Sequence, residues 1–297
     1  MALTQGTVDA NGVTFAFLEA GDPGAPLALC LHGFPDCAHT WRHLLPLLAE
    51  AGYRAVAPWL RGYAPSSVPT SGEYQSAVIA TDAVALHHAL AAPGADPGVL
   101  IGHDWGALAA YAAAHHVDAP WRRMVTMAVP PPPIVAQAFF SYEQLHRSWY
   151  MFFFQHPLAD LAVGLDGVAF VDRLWADWSP GYDASGDLPA VKDALRDPAH
   201  LSAALGYYRA TLGGVGLSTD PAVQALQSAA DGSAPPLPCL YLHGQDDGCM
   251  GAELVGPTAD FLGEGSAVEV VDGAGHFLHL ERPDMVNRLV LDFLAAG

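Results

Sequence analysis

Positive charge is scarce in this chain. Its 297 residues carry 12 Lys+Arg against 31 Asp+Glu, a formal net charge of −19 at pH 7. Nucleic acids and anionic membranes attract Lys/Arg patches, so neither is an expected partner. Cysteine is sparse as well. Cys30, Cys37, Cys239 and Cys249 form no CxxC pair, which removes a disulfide framework and a zinc signature and leaves four free thiols. No apolar stretch is long enough to span a bilayer. The opening MALTQGTVDANGVTF lacks a charged segment followed by an apolar one, so no signal peptide is read there and a cytoplasmic protein is expected. Neither G-x-x-x-x-G-K-[ST] nor G-x-G-x-x-G occurs, so no nucleotide cofactor is expected. His87-His88 and His115-His116 are adjacent rather than four apart, a poor ligand arrangement, and no metal is expected either.

What is present is apolar and globular: 52% hydrophobic residues and 14% charged. Short apolar runs alternate with helical patterns, the signature of βαβ units and a mostly parallel sheet. Strands are expected at VTFAFLEAG (13–21), LALCLHG (27–33), YRAVAP (53–58), GVLIG (98–102) and RRMVTMAVP (122–130). Helices are expected around 40–50, over 76–90 and from about Gly106. Four prolines, Pro130 to Pro133, then stop the rhythm. An irregular, aromatic-rich helical stretch follows, and strand-like text resumes with LPCLYLHG (237–244) and SAVEVVDGAGH (266–276) before a C-terminal amphipathic helix. The reading is an α/β core from 1–130 and 235–297, interrupted by a helical cap at 131–234 after the sixth strand.

GHDWG at 102–106 has the glycine spacing of a nucleophile elbow, G-x-S-x-G, with Asp104 where serine is usual. The apolar strand before it and the alanine-rich helix after it are the context an elbow requires. The alternative is an ordinary strand–helix turn with Asp104 as N-cap. An elbow nucleophile needs an acid and then a histidine downstream. Asp246 and Asp247 end one expected strand, and His276 follows the next in a glycine-flanked loop. His279 is the rival base, expected instead to face a helix. Upstream, HGFPD (32–36) can aim the Phe34 N–H at a developing oxyanion beside the Trp105 N–H, or be merely a tight turn around Pro35. Asp36 reads as the cap of the helix near Thr40, and Arg61 has no assigned role.

HGFPD (32–36), GHDWGA (102–107), GQDDG (244–248) and GAGHFLHLERP (273–283) together resemble the α/β-hydrolase superfamily. More narrowly, they are similar to its Asp-nucleophile branch of epoxide hydrolases and haloalkane dehalogenases. The resemblance implies an α/β-hydrolase fold with a helical cap, no cofactor, and Asp247 of G-x-x-D as the acid, with Asp246 the competing register. It also implies two cap tyrosines, Tyr150 in SWYMFFFQ and Tyr208 in GYYR, with Tyr207 a direct rival of Tyr208.

Chemistry narrows the reaction. A carboxylate attacking a carbonyl would form a high-energy anhydride, whereas displacement at saturated carbon gives an ordinary ester on Asp104, which water activated by His276 can cleave. An epoxide oxygen leaves as a basic alkoxide and needs a proton donor, for which tyrosines serve. A halide needs only N–H dipoles. Phe34 offers no side-chain donor of the kind dehalogenases often carry after the first HG, so a hydrophobic epoxide and water are the expected substrates. Haloalkane dehalogenase is the alternative, and a non-catalytic ligand-binding module the third. Phe34, Pro35, Trp105, Trp149 and Phe154 are the expected pocket lining. A homodimer is compatible with the sequence but not indicated by it.

Overall fold

The computed structural model describes residues 2–296. Eight strands form one sheet in the order β1-β2-β4-β3-β5-β6-β7-β8. They are β1 (Thr4–Ala10), β2 (Val13–Ala20), β3 (Leu27–Leu31), β4 (Arg54–Pro58), β5 (Gly98–His103), β6 (Trp121–Met127), β7 (Cys239–Gly244) and β8 (Ala267–Val271). β1–β2 and β2–β4 pair antiparallel, and every other pairing is parallel. β3, β5 and β7 are buried along their whole length, as central parallel strands with helices on both faces must be.

β1 was not expected. Its sequence TQGTVDA is polar and mostly exposed, so it carries no hydrophobic signal and is held by its ladder to β2. The helix expected around 40–50 is a 3-10 turn (Ala38–His43) followed by the short α1 (Leu45–Glu50). α2 (Ser76–Leu90) and α3 (Trp105–Ala114) begin and end close to where the apolar periodicity places them.

Between β6 and β7 lie α4 (Pro132–Ala138), α5 (Tyr142–Arg147), α6 (Trp149–Phe153), α7 (Leu158–Trp178), α8 (Leu188–Leu195), α9 (Pro198–Tyr208) and α10 (Pro221–Gly232). α7 is kinked at Leu165–Val168, where three consecutive residues turn left-handed. α11 (Val255–Phe261), α12 (Leu278–Glu281) and α13 (Pro283–Ala295) complete the chain. The helical segment meets the sheet domain at the loops that follow β3, β5 and β8 through aromatic contacts, and at the loop after β7 through hydrogen bonds. Among the described residues no helix is long and apolar enough to cross a membrane.

Candidate active site

The elbow is built from close approach. Asp104 ends β5 and begins α3 with φ 53° and ψ −116°, a left-handed conformation that holds its carboxylate off the strand end. A Cβ on Gly102 would lie 2.1 Å from the carbonyl oxygen of Gly106, and one on Gly106 would lie 2.1 Å from that of Leu31. Glycine at both positions is therefore required for α3 to start this tightly against β3 and β5. The serine-elbow spacing persists around an aspartate because the spacing serves the backbone, whatever side chain is displayed.

The loop after β3 supplies a donor. The Phe34 N–H gives a 2.7 Å hydrogen bond to Asp104 Oδ1. His32 pins this loop, its Nε2 accepting from the Leu60 N–H at 3.0 Å and its Nδ1 lying 2.8 Å from the Gly33 carbonyl. A Cβ on Gly33 would stand 2.2 Å from Asp104 Oδ1, so only glycine leaves room for the carboxylate. The Trp105 amide makes no hydrogen bond to Asp104 among the described residues, so of the two expected donors one is engaged.

His276 and Asp247 come from the loops after β8 and β7. His276 Nδ1 is 2.9 Å from Asp247 Oδ2, and both side chains are fully buried. Asp247 Oδ1 accepts from the amides of Cys249 at 2.7 Å and Met250 at 2.9 Å. Asp246 is exposed, and Asp247 is the carboxylate that meets His276. Burial works to raise the Asp247 pKa, but the charge of His276 and its hydrogen bond hold it below the ordinary value. The histidine loop is braced by Glu281, which accepts from Ser179 Oγ at 2.6 Å and from the Gly275 N–H at 2.9 Å.

His276 Nε2 faces Asp104 Oδ2 at 3.6 Å, an ion-pair separation too long for a hydrogen bond, and it has no hydrogen-bond partner of its own. Burial would lower the His276 pKa, yet the flanking carboxylates of Asp247 and Asp104 push it up to about 10. His279 is placed elsewhere. It stacks on Trp41 and meets Thr40 Oγ1, so it faces the 3-10 turn and is no rival for the base.

Tyr150 and Tyr208 converge on this carboxylate from the helical segment. Their rings meet edge to face at 5.6 Å, and Tyr208 packs against Phe34 at 5.3 Å, Trp105 at 5.0 Å and Phe154 at 5.1 Å. The Tyr208 hydroxyl is buried with no hydrogen-bond partner, whereas Tyr150 Oη lies 3.4 Å from Cys249 Sγ. Burial raises both phenol pKa values well above the ordinary one, so both carry their protons. Tyr207 points away and donates to the Arg61 carbonyl at 2.8 Å, a structural bond that separates it from Tyr208.

The lining expectation needs one correction. Trp149 is 47% exposed and packs on Phe153 and Phe170, and among the described residues no ring contact joins it to Tyr150, Phe154 or Tyr208. Phe34 and Phe154 are fully buried in the cluster, and Pro35 is buried beside it with its carbonyl accepting from Trp175 Nε1 at 2.8 Å. Asp36 is not a helix cap. Its Oδ1 accepts from the Cys37 amide, and its buried Oδ2 lies 3.9 Å from His103 Nδ1. Trp178 was not foreseen; its ring packs on Tyr150 at 4.9 Å and on His276 at 5.1 Å, and nothing in DWSP marks it. Trp105 also lines a cavity of about 670 Å³, together with Leu108, Val135, Phe139, Ala210 and Leu217.

Comparison with known proteins identifies the family. The model of the alpha/beta hydrolase fold family matches residues 26–283. Epoxide hydrolase A of Mycobacterium tuberculosis is 32% identical, over 99% of this chain and 98% of its own. Epoxide hydrolase 4 of Mus musculus is 28% identical over 96% of this chain and 77% of its own. Among solved structures, epoxide hydrolase A from Mycobacterium thermoresistibile superposes with a TM-score of 0.78 at 26% identity, covering 99% of both chains. The buried Asp104–His276–Asp247 arrangement thus sits in a hydrolase of the α/β-hydrolase-fold family, and the chain belongs to that family's epoxide-hydrolase branch.

Proposed function

We propose that the protein hydrolyses a hydrophobic epoxide to a vicinal diol through a covalent ester on Asp104. The observation that carries this is the placement of two protonated, buried phenols over an elbow carboxylate. Asp104 Oδ2, which accepts no hydrogen bond among the described residues, attacks a ring carbon. The ring C–O bond breaks, its electron pair goes to the oxygen, and that oxygen takes a proton from Tyr208 or Tyr150. Oδ1, already held by the Phe34 N–H, becomes the ester carbonyl oxygen.

The high pKa of His276 has a role in this sequence. A histidine flanked by two carboxylates is charged in the resting enzyme and cannot take a proton. Esterification removes the charge of Asp104, the His276 pKa falls, its proton passes to the phenolate left by ring opening, and the neutral ring becomes a base for water. Water then adds to the Asp104 Cγ, giving its proton to Nε2. The oxyanion forms at Oδ1 against the Phe34 amide, and the Trp105 amide is the second donor proposed for that intermediate. Collapse passes the hydroxyl proton of the intermediate to the departing alkoxide, expels the diol and returns Asp104 as carboxylate beside the charged His276.

Residues 131–234 serve as the cap that brings Tyr150, Phe154 and Tyr208 over the nucleophile. The apolar cavity that Trp105 lines suits a hydrophobic substituent. The dehalogenase alternative draws one point of support from the buried, unpartnered Trp105 Nε1, a donor a halide could use. It lacks a second side-chain donor at Phe34 and leaves both phenols without a task.

The test is single turnover with styrene oxide and, in parallel, 1-bromobutane in ¹⁸O-water. Diol carrying ¹⁶O from Asp104 in the first turnover is the expected result. Bromide release without diol would replace the epoxide reading with the dehalogenase one.

A further inference from the structure

The loop that carries Asp247 reaches the tyrosines as well as the histidine. Asp247 Oδ1 gathers the Cys249 and Met250 amides at 2.7 and 2.9 Å, folding the loop back on itself. That fold places Cys249 Sγ 3.4 Å from Tyr150 Oη. Gln144 of α5 clamps the same loop from the helical side. Its Nε2 donates to the Cys249 carbonyl at 2.8 Å and to Ser148 Oγ at 2.9 Å, and its Oε1 accepts from the Gly251 amide at 3.2 Å. Gln144, Cys249, Asp247 and Tyr150 are all buried. One short loop is therefore hydrogen-bonded to the acid of the triad, to the helix before Tyr150, and to the Tyr150 hydroxyl.

We propose that Cys249 is a positioning residue for Tyr150, holding its phenol by the thiol so that the phenol proton points at the epoxide oxygen. The proposal rests on the epoxide reading above and adds a division of labour. Tyr208 is held by the rings packed around it and has no bond to the acid loop, whereas Tyr150 is fixed from that loop. A neutral thiol is a weak donor and a weak acceptor, and either atom of this pair can donate. Donating S–H to the phenol oxygen leaves the phenol proton for the substrate. When the ring C–O bond breaks and the phenol proton moves to the departing oxygen, the S–H remains on sulfur and donates to the phenolate. The same loop thereby serves both half-reactions, through Cys249 in ester formation and through Asp247 in ester hydrolysis.

The experiment resolves the two steps in full-length protein by rapid quench and mass analysis of the styrene oxide ester. C249A is expected to slow ester formation about fivefold, the worth of one ordinary neutral hydrogen bond, and to leave ester hydrolysis within about twofold. C249S, which puts a hydroxyl in place of the thiol, restores ester formation. In a Tyr150→Phe background C249A adds nothing, because the bond it removes is already gone. Unchanged ester formation in C249A overturns the proposal. So does equal slowing of both steps, or a further loss in the Tyr150→Phe background. If the wild-type protein forms no ester while epoxide is still converted to diol, or converts no epoxide at all, the epoxide–ester reading fails and the positioning role fails with it.

Discussion

Asp104 Oδ2 and His276 Nε2 face each other across 3.6 Å, with the second ring nitrogen of His276 bound to Asp247 at 2.9 Å. One imidazole is thus held between two carboxylates, one of which is the proposed nucleophile. Its protonation state is tied to whether that nucleophile is charged.

Replacing Asp104 by Asn should lower turnover by at least about 10³-fold, as removal of a covalent nucleophile does. It should also lower the His276 pKa from about 10, since one of two stabilising charges is lost. The sign is fixed: a folded pKa above the ordinary 6.5 stabilises the fold below that pH, and the contribution fades as pH rises toward 10. NMR titration and thermal melts should therefore show a smaller loss of stability between pH 6.5 and 10 in D104N than in the parent. An unchanged His276 titration in D104N would refute the coupling.

Replacing His276 by Gln should spare ester formation and block its hydrolysis. One equivalent of styrene oxide should then remain attached at Asp104, seen as a stable mass increase on a peptide containing residues 98–116. Continued multiple turnover at a rate near that of the parent would contradict the assignment of the base.

Tyr208→Phe separates function from stability. Ester formation should fall roughly 10²-fold, within the range for loss of a general acid. The fold should be as stable or more so, because a buried hydroxyl without a partner is removed, a group that costs about 1–3 kcal/mol. A large drop in Tm would mean that the hydroxyl has a structural partner.

Trp149 and Phe154 should respond differently although they are neighbours in one aromatic run. Trp149→Ala, at a 47% exposed position, should leave kcat/KM within about twofold. Phe154→Ala should destabilise by about 3–5 kcal/mol and perturb Tyr208, on which it packs at 5.1 Å. Chemical denaturation and steady-state kinetics measure both.

Arg61, without a role in the sequence, is buried and paired with Asp82 through both Nε at 2.5 Å and Nη2 at 2.6 Å. Arg61→Met strands that carboxylate in the interior and should cost about 3–5 kcal/mol of stability. An R61M protein as stable as the parent would mean that Asp82 finds water or protonates without penalty.

The alternation of apolar runs and helical patterns was enough to place seven of the eight strands and the elbow, because each of those elements buries a face that its own residues advertise. The glycines of GHDWG and HGFPD were legible for a similar reason: they mark places where a Cβ would lie about 2 Å from backbone or from a carboxylate, and no other residue fits. β1 escaped because pairing, not hydrophobicity, holds it. What one-dimensional text could not decide was which of two adjacent candidates faces inward. Asp247 rather than Asp246, Tyr208 rather than Tyr207, and the displacement of Trp149 from the cluster depend on the orientation of a turn or a helix, which long-range packing sets. The partners Trp178, Gln144 and Cys249 belong to the same class. They act on residues as much as 107 positions away, and only the folded chain brings those groups within hydrogen-bonding or ring-contact distance.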